Sequence, residues 1–248
     1  MSSEVRVAVF RPDDDRLREA VELLDSLGAT PVADPMLEIE PTGAIPDSDA
    51  DYVVLTSKTG VELAADAGWQ PDGVTLASIG SGTTAAAETA GWTVDREPDT
   101  YSSAGLVELL ADEVAGYHVE VARSDHGSEV LLDGLADAGA TVTETVLYRL
   151  ARPPEAGDSV ELAADGELEA AAFTSSLTVE HFLAAAADRG VEAAARDGLD
   201  SAVVGTIGEP TRETAEELGI GVDIVPEEAT FEALATRVVE AAAPSYTE

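Results

Sequence analysis

The sequence predicts an α/β protein of two similar domains, each a parallel sheet flanked by helices in a doubly wound arrangement. Three observations carry this. Short β-branched runs alternate with Ala-rich amphipathic helices along the whole chain. Many of those helices end at glycine, as at Gly28, Gly91, Gly139, Gly190 and Gly219, the residue that tolerates a left-handed C′ position. And two modules each occur twice.

In chain order, the spacing predicts strands over Val5–Phe10, Tyr52–Thr56, Thr75–Ile79, His118–Ala122, Thr141–Tyr148, Ala170–Thr174, Ser201–Thr206 and Val222–Val225. Between them it predicts helices over Asp14–Leu27, Gly60–Ala67, Thr83–Ala90, Ala104–Glu113, Ser128–Ala138, Thr178–Arg189, Thr211–Leu218 and Thr230–Ala242. Alternation of this kind gives parallel strands with helices on both faces.

The repeats are explicit. "SIGSGTTAAAETAGWTVDREPD" returns as "TIGEPTRETAEELGIGVDIVPE", so that Gly80 matches Gly208, Thr83 matches Thr211, Gly91 matches Gly219, Asp95 matches Asp223 and Pro98 matches Pro226, all at one offset. Just upstream, "VVLTSKTGVEL" is echoed by "AAFTSSLTVEHF". A different module joins "VAVFRPDDDRLREAVELLDSLGATPV" to "VEVARSDHGSEVLLDGLADAGATVTE", placing Arg11 against Arg123. The modules alternate, first, second, first, second. Sequential pairing would give domains of residues 1–115 and 117–248, and periodicity alone favours it, because chain neighbours pack together. Nested pairing would join residues 1–38 to 153–248 and leave 39–152 as its own domain. The connecting passages Ala33–Ala44 and Thr145–Glu155 are extended and bounded by proline, and could pair as a two-stranded ribbon.

Composition limits the chemistry. The chain has 248 residues, 45% of them hydrophobic, enough for real cores. No run approaches the length of a membrane helix, and "MSSEVRVAVF" has neither the basic start nor the apolar stretch of a signal peptide, so a cytoplasmic protein without membrane partners is expected. There is no cysteine and only 3 histidines, so disulfides, thiolate metal sites and cysteine nucleophiles are excluded and no metal site is expected. With 50 acidic against 13 basic residues the formal net charge is -37, which disfavours nucleic acid as a partner. The acids are spread among regular apolar periodicities, which points to a folded protein adapted to a salt-rich cytoplasm.

The ordered run "RPDDD", "VVLTSKTGVEL", "SIGSGTTAAAETAG", "VARSDHGSEVLLDGL", "VLYRL", "AAFTSSLTVEHFL", "TIGEPTRETAEELG" and "PEEATFEAL" resembles the uroporphyrinogen-III synthase family along nearly the whole length. The resemblance implies the nested pairing, with two flavodoxin-like domains, the first discontinuous, joined by a two-stranded linker with the active site in the cleft. It also implies the reaction: linear hydroxymethylbilane closes to uroporphyrinogen III with loss of water and inversion of the last ring, without a cofactor, on the route to haem, sirohaem and cobalamin. Positioning of the substrate is then the main catalytic effect. A monomer is expected.

The linear tetrapyrrole carries eight carboxylates, and a protein of this charge cannot draw them by its net field. Strands that end at small polar residues before a helix offer main-chain N–H groups and the positive end of a helix dipole. Candidate contacts are therefore Thr56, Ser57 and Lys58, Gly80, Ser81, Gly82 and Thr83, Ser175 and Ser176, and Thr206, Gly208 and Thr211. As helix caps alone these residues would need no ligand. Arg11 and Arg123 end equivalent strands and can clamp a carboxylate, with Ser124 beside the second; their acidic neighbourhoods also suit internal ion pairs. Lys58 is the only lysine; the family often has Arg or Asn near it, where this chain has Thr59 and Gly60. Tyr148 in "VLYRL" matches a tyrosine that the family places near its second linker and that is associated with departure of the hydroxyl; its plain alternative is an amphipathic strand residue. His126 lies in the loop after Arg123, and no histidine is assigned as a base. Two other functions fit parts of the pattern. "GSGTTA" matches a dinucleotide fingerprint, although Pro210 replaces the glycine in the second copy, and duplicated domains suit a two-domain binding protein.

Overall fold

A computed structural model describes residues 5–243. The chain divides into two compact units: the first takes the chain up to Glu38 and again from Ala151, and the second is Ile39–Leu150.

The first unit opens with β1 (Arg6–Val9), α1 (Asp15–Ser26) and β2 (Thr30–Ala33). After β3 (Glu38–Pro41), the second unit contains β4 (Tyr52–Leu55), α2 (Lys58–Asp66), β5 (Thr75–Ser78), α3 (Ser81–Thr89), α4 (Ser103–Leu110), β6 (His118–Ser124), α5 (Glu129–Asp137) and β7 (Thr141–Ala151). The chain then completes the first unit with α6 (Asp158–Ala164), β8 (Ala170–Phe173), α7 (Ser176–Asp188), α8 (Glu192–Ser201), β9 (Val203–Thr206), α9 (Glu209–Glu217) and α10 (Phe231–Ala242).

The two sheets run β2-β1-β8-β9 and β3-β7-β6-β4-β5. The pairs β1–β2, β1–β8 and β8–β9 are parallel, as are β6–β7, β4–β6 and β4–β5. Strand for strand, β2-β1-β8-β9 carries the same repeated modules as β7-β6-β4-β5, although the chain meets them in opposite order. Each sheet therefore unites one copy of each module. In the first unit β1 and β8 are buried on both faces, and their near-continuous "VAV" and "AAAF" runs suit that position. Phe10, Phe173 and Phe182 fill one face, with ring centroids 4.5 to 5.8 Å apart. In the second unit Trp69 and Trp92 meet edge to face at 5.1 Å within the core on one side of the sheet.

The 128-residue repeat reappears as paired hydrogen bonds. Asp95 accepts from the Leu76 N–H at 3.0 Å, and Asp223 accepts from the Val204 N–H at 2.9 Å. The segment expected as a strand over Val222–Val225 makes only the single bridge Gly205–Ile224, matching Ala77–Arg96 in the other unit. Pro226 follows at once, and a proline cannot donate to extend the ladder.

Two helices were not expected from the sequence. The α6 helix is only seven residues long, and α8, "EAAARDGLDS", has few apolar residues and a central glycine. Gly198 is what lets α8 lie on α6, since a Cβ there would stand 1.8 Å from the Ala163 carbonyl oxygen. The α8 helix also takes Ser201 out of the strand expected over Ser201–Thr206. No helix of the described residues is long and apolar enough to cross a membrane.

Candidate functional site

Four strands end at small residues that begin a helix. The four helices start two residues earlier than periodicity suggests, because Ser57, Ser175, Gly80 and Gly208 are themselves the N-caps. Ser57 accepts from the Gly60 N–H at 3.0 Å, and Ser175 accepts from the Thr178 N–H at 3.3 Å. Gly80 and Gly208 have extended backbones and no side-chain oxygen, so no side chain caps the first amides of α3, or those of Glu209 and Thr211 in α9, where Pro210 has no N–H. At Gly80 a side chain is also sterically opposed: a Cβ would stand 2.7 Å from the ring of Tyr101.

The expected site residues divide by environment. Ser81 and Gly82 are exposed in the first turn of α3, and Lys58 is exposed at the start of α2, bridged to Glu62 at 3.4 Å. Lys58 and Gly82 both line a groove of about 740 Å³ between α2 and α3. Ser176 donates to the Pro210 carbonyl at 3.2 Å and accepts from Thr214 at 2.8 Å, tying α7 to α9. Thr56 and Ser124 are half-buried at the ends of β4 and β6, and the β6–β7 register shifts between Arg123 and Ser124. Thr83 and Thr211, expected as hydroxyl donors, are each only 5% exposed, so their side chains serve the cores. Thr206 is fully buried, and among the described residues its hydroxyl has no hydrogen-bond partner.

The two equivalent arginines have different roles. Arg123 is 2% exposed; its guanidinium donates to Glu144 at 2.5 Å, to the Ser128 carbonyl at 2.6 Å and to Glu129 at 3.2 Å. Its expected role as a carboxylate clamp is thereby corrected, because its nitrogens are committed internally. A Cβ at Gly127 would stand 2.3 Å from its Cδ, so the loop closes over it. Arg11 is half-buried, stacks 4.6 Å from the Phe231 ring centroid and makes a long 3.4 Å bond to the Arg16 carbonyl. Among the described residues no carboxylate pairs with Arg11. Burial first, and then Arg16, draw its guanidinium below the usual arginine range; arginine keeps its charge nonetheless.

Tyr148 is 7% exposed, and its hydroxyl donates to Ser57 Oγ at 3.0 Å. Its carbonyl accepts from the Asp125 N–H at 3.2 Å. Burial raises the Asp125 carboxyl, but hydrogen bonds from His126 and the Leu150 N–H outweigh it and hold the group below the ordinary carboxylate range. Tyr101 and Phe231 were not among the expected site residues, because only the fold lays one beside Gly80 and the other under Arg11.

Residues 18–236 match the family described as uroporphyrinogen-III synthase HemD. The chain belongs to the uroporphyrinogen-III synthase family. A Methanothermobacter thermautotrophicus protein described as a candidate uroporphyrinogen-III synthase is 32% identical over 240 residues, covering 90% of this chain and 93% of its own. Among solved structures, the chain is similar to a mutant uroporphyrinogen III synthase of Thermus thermophilus, with a TM-score of 0.67 at 21% identity over 96% of this chain and 98% of that one. It is also similar to uroporphyrinogen-III synthetase from Helicobacter pylori, with a TM-score of 0.64 at 13% identity over 96% and 99%. These two likenesses concern the fold. As a member of the uroporphyrinogen-III synthase family the chain is a cyclising lyase of porphyrin biosynthesis that acts on a tetrapyrrole.

Proposed function

We propose that this chain closes hydroxymethylbilane to uroporphyrinogen III by holding the folded octacarboxylate on main-chain amides. The observation that carries this reading is the pair of bare N-caps, Gly80 and Gly208, at matching strand ends in the two units. Each leaves the first amides of its helix unserved by a side chain, and each such contact with an anion contributes about 0.3–1 kcal/mol. Ser81 and Gly82, Thr56 and Ser57, Ser175 and Ser176 extend these turns, and Lys58 and Arg11 add the exposed or unpaired positive charge. Tyr148, near Ser57, assists departure of the hydroxyl. The substrate's own electron-rich pyrrole expels that hydroxyl readily, so the protein's task is to hold one geometry before unassisted closure gives the uninverted isomer. We further propose that the chain works as a monomer in a salt-rich cytoplasm, without a cofactor.

One assay tests the reading. Hydroxymethylbilane is supplied to the purified chain in molar KCl, the products are oxidised, and the I and III isomers are separated. A large excess of isomer III is expected, and an isomer ratio no different from buffer alone would refute it.

A further inference from the structure

We infer that Ser57 is the group that hands a proton to the departing hydroxyl, and that Tyr148 is a positioning residue and proton reserve behind it. The inference deepens the synthase reading above and rests on it. Its basis is a count of hydrogen bonds at one oxygen. Ser57 Oγ accepts from the Gly60 N–H at 3.0 Å and from the Tyr148 hydroxyl at 3.0 Å. A serine oxygen has two lone pairs and one hydrogen. Both lone pairs are occupied, so the Ser57 hydrogen is the one left to donate. Tyr148 is 7% exposed and its own hydrogen is spent on Ser57, whereas Ser57 is only half-buried, at the end of β4. The hydroxyl that can meet a ligand is therefore the serine's.

The pair is not a by-product of the duplication. Ser175 caps α7 as Ser57 caps α2, but at the step matching Tyr148 the first unit has Leu37, which carries no hydroxyl. Where that unit has Thr178, the second has Gly60, and a Cβ there would stand 3.1 Å from Ser57 Oγ and 3.2 Å from Leu147 Cδ1. Glycine thus keeps clear the space in which the serine and tyrosine oxygens meet. The second unit adds a phenol to a common cap and removes the side chain that would crowd it.

The step balances. The Ser57 hydrogen moves to the hydroxyl oxygen of the hydroxymethylpyrrole as the carbon–oxygen bond breaks, and the pyrrole's electrons fill the vacated carbon to give an azafulvenium ion and water. The Tyr148 hydrogen replaces the one lost from Ser57, and the negative charge rests on the phenolate, a far better carrier than an alkoxide. After ring closure the attacking pyrrole carbon sheds its proton, which returns through Ser57 to Tyr148.

The test separates proton donation from capping. Asparagine caps a helix as well as serine does and can accept both hydrogen bonds, but its amide does not give up a proton. S57N, S57A, S57T, Y148F and the S57N/Y148F double variant are compared for kcat, KM, isomer III yield and thermal unfolding. For S57N the expected result is an unfolding midpoint near wild type, KM changed less than threefold and kcat for isomer III lowered by about 100-fold, the low end of what a general acid contributes. S57T regains most of what S57A loses, and the double variant is no slower than S57N, because the two hydroxyls form one relay. A folded S57N with wild-type kcat, or losses that add in the double variant, would overturn the assignment while wild-type isomer III output leaves the synthase reading intact. If the wild-type chain makes no excess of isomer III, both fall.

Discussion

Arg123 Nε lies 2.5 Å from Glu144 Oε1, joining β6 to β7 on the face that α5 covers. The arginine is almost wholly buried, and its other nitrogens reach Ser128 and Glu129 at the start of α5. Its partner at the matching strand end, Arg11, has an aromatic ring under it and no ion pair among the described residues.

Replacing Arg123 by alanine is therefore expected to act on folding. It opens a hole beneath Gly127 and removes the hydrogen bonds of a buried guanidinium, which costs on the order of 2 kcal/mol because Glu144 is itself about a third exposed. Urea unfolding in molar KCl checks this; the fraction still folded should keep the wild-type isomer ratio.

Arg11→Gln is expected to do the reverse. Loss of the cation over Phe231 costs roughly 0.5–1 kcal/mol of stability, while KM for hydroxymethylbilane rises about fivefold or more, since charge-assisted bonds to carboxylates are worth about twice neutral ones. Steady-state kinetics beside a thermal melt separates the two effects. An unchanged KM would remove Arg11 from the substrate site.

Gly80 and Gly198 both face close neighbours, yet alanine should be tolerated very differently. At Gly198 the obstacle is the main chain of α6, 1.8 Å from the new Cβ, and helix separation should cost about 1–3 kcal/mol. At Gly80 the obstacle is the exposed side chain of Tyr101, which can swing aside. G80A should unfold near the wild-type midpoint in a thermal melt, and G198A well below it.

Asp34 caps α6 from a distant part of the first unit, accepting from the Gly157 N–H at 2.8 Å, the Ser159 N–H at 2.9 Å and the Ser159 hydroxyl at 2.5 Å, all buried. Asp34→Ala strands these donors, each costing about 1–3 kcal/mol when unpaired. Chemical unfolding should show a larger loss than for an exposed cap such as Asp14→Ala.

A formal net charge of -37 on 248 residues makes the folded state repel itself wherever salt does not screen it. At 1 M salt the screening length is about 3 Å, so the unfolding midpoint should climb steeply with KCl up to molar concentration.

Local order was legible in the chain because it depends on near neighbours. Strand–helix alternation, glycine stops, the small residues at helix starts and the doubled modules all follow from periodicity and from capping within a few residues. Ser57, Ser175, Gly80 and Gly208 were readable as members of these helix starts, although periodicity placed the first helical residues two positions later; Tyr148 was a candidate only through the family resemblance, since an amphipathic strand explains a tyrosine there equally well. By contrast, α6 is too short for a periodic pattern to stand out and α8 is interrupted by Gly198, which only its packing on α6 explains, and Val222–Val225 had strand composition but only one bridge to make.

What tertiary structure alone decided is partnership. Which copy of each module shares a sheet is set by the β1–β8 and β4–β6 ladders, whose strands are far apart in the chain. That Arg123 is spent on Glu144 while Arg11 has no ion pair among the described residues, that Thr83 and Thr211 turn inward, and that Tyr148 gives its hydrogen to Ser57 are all choices among partners that composition leaves equal. Hydrogen bonds and ion pairs act over about 3 Å, and only the packed chain brings a residue at position 148 that close to one at position 57.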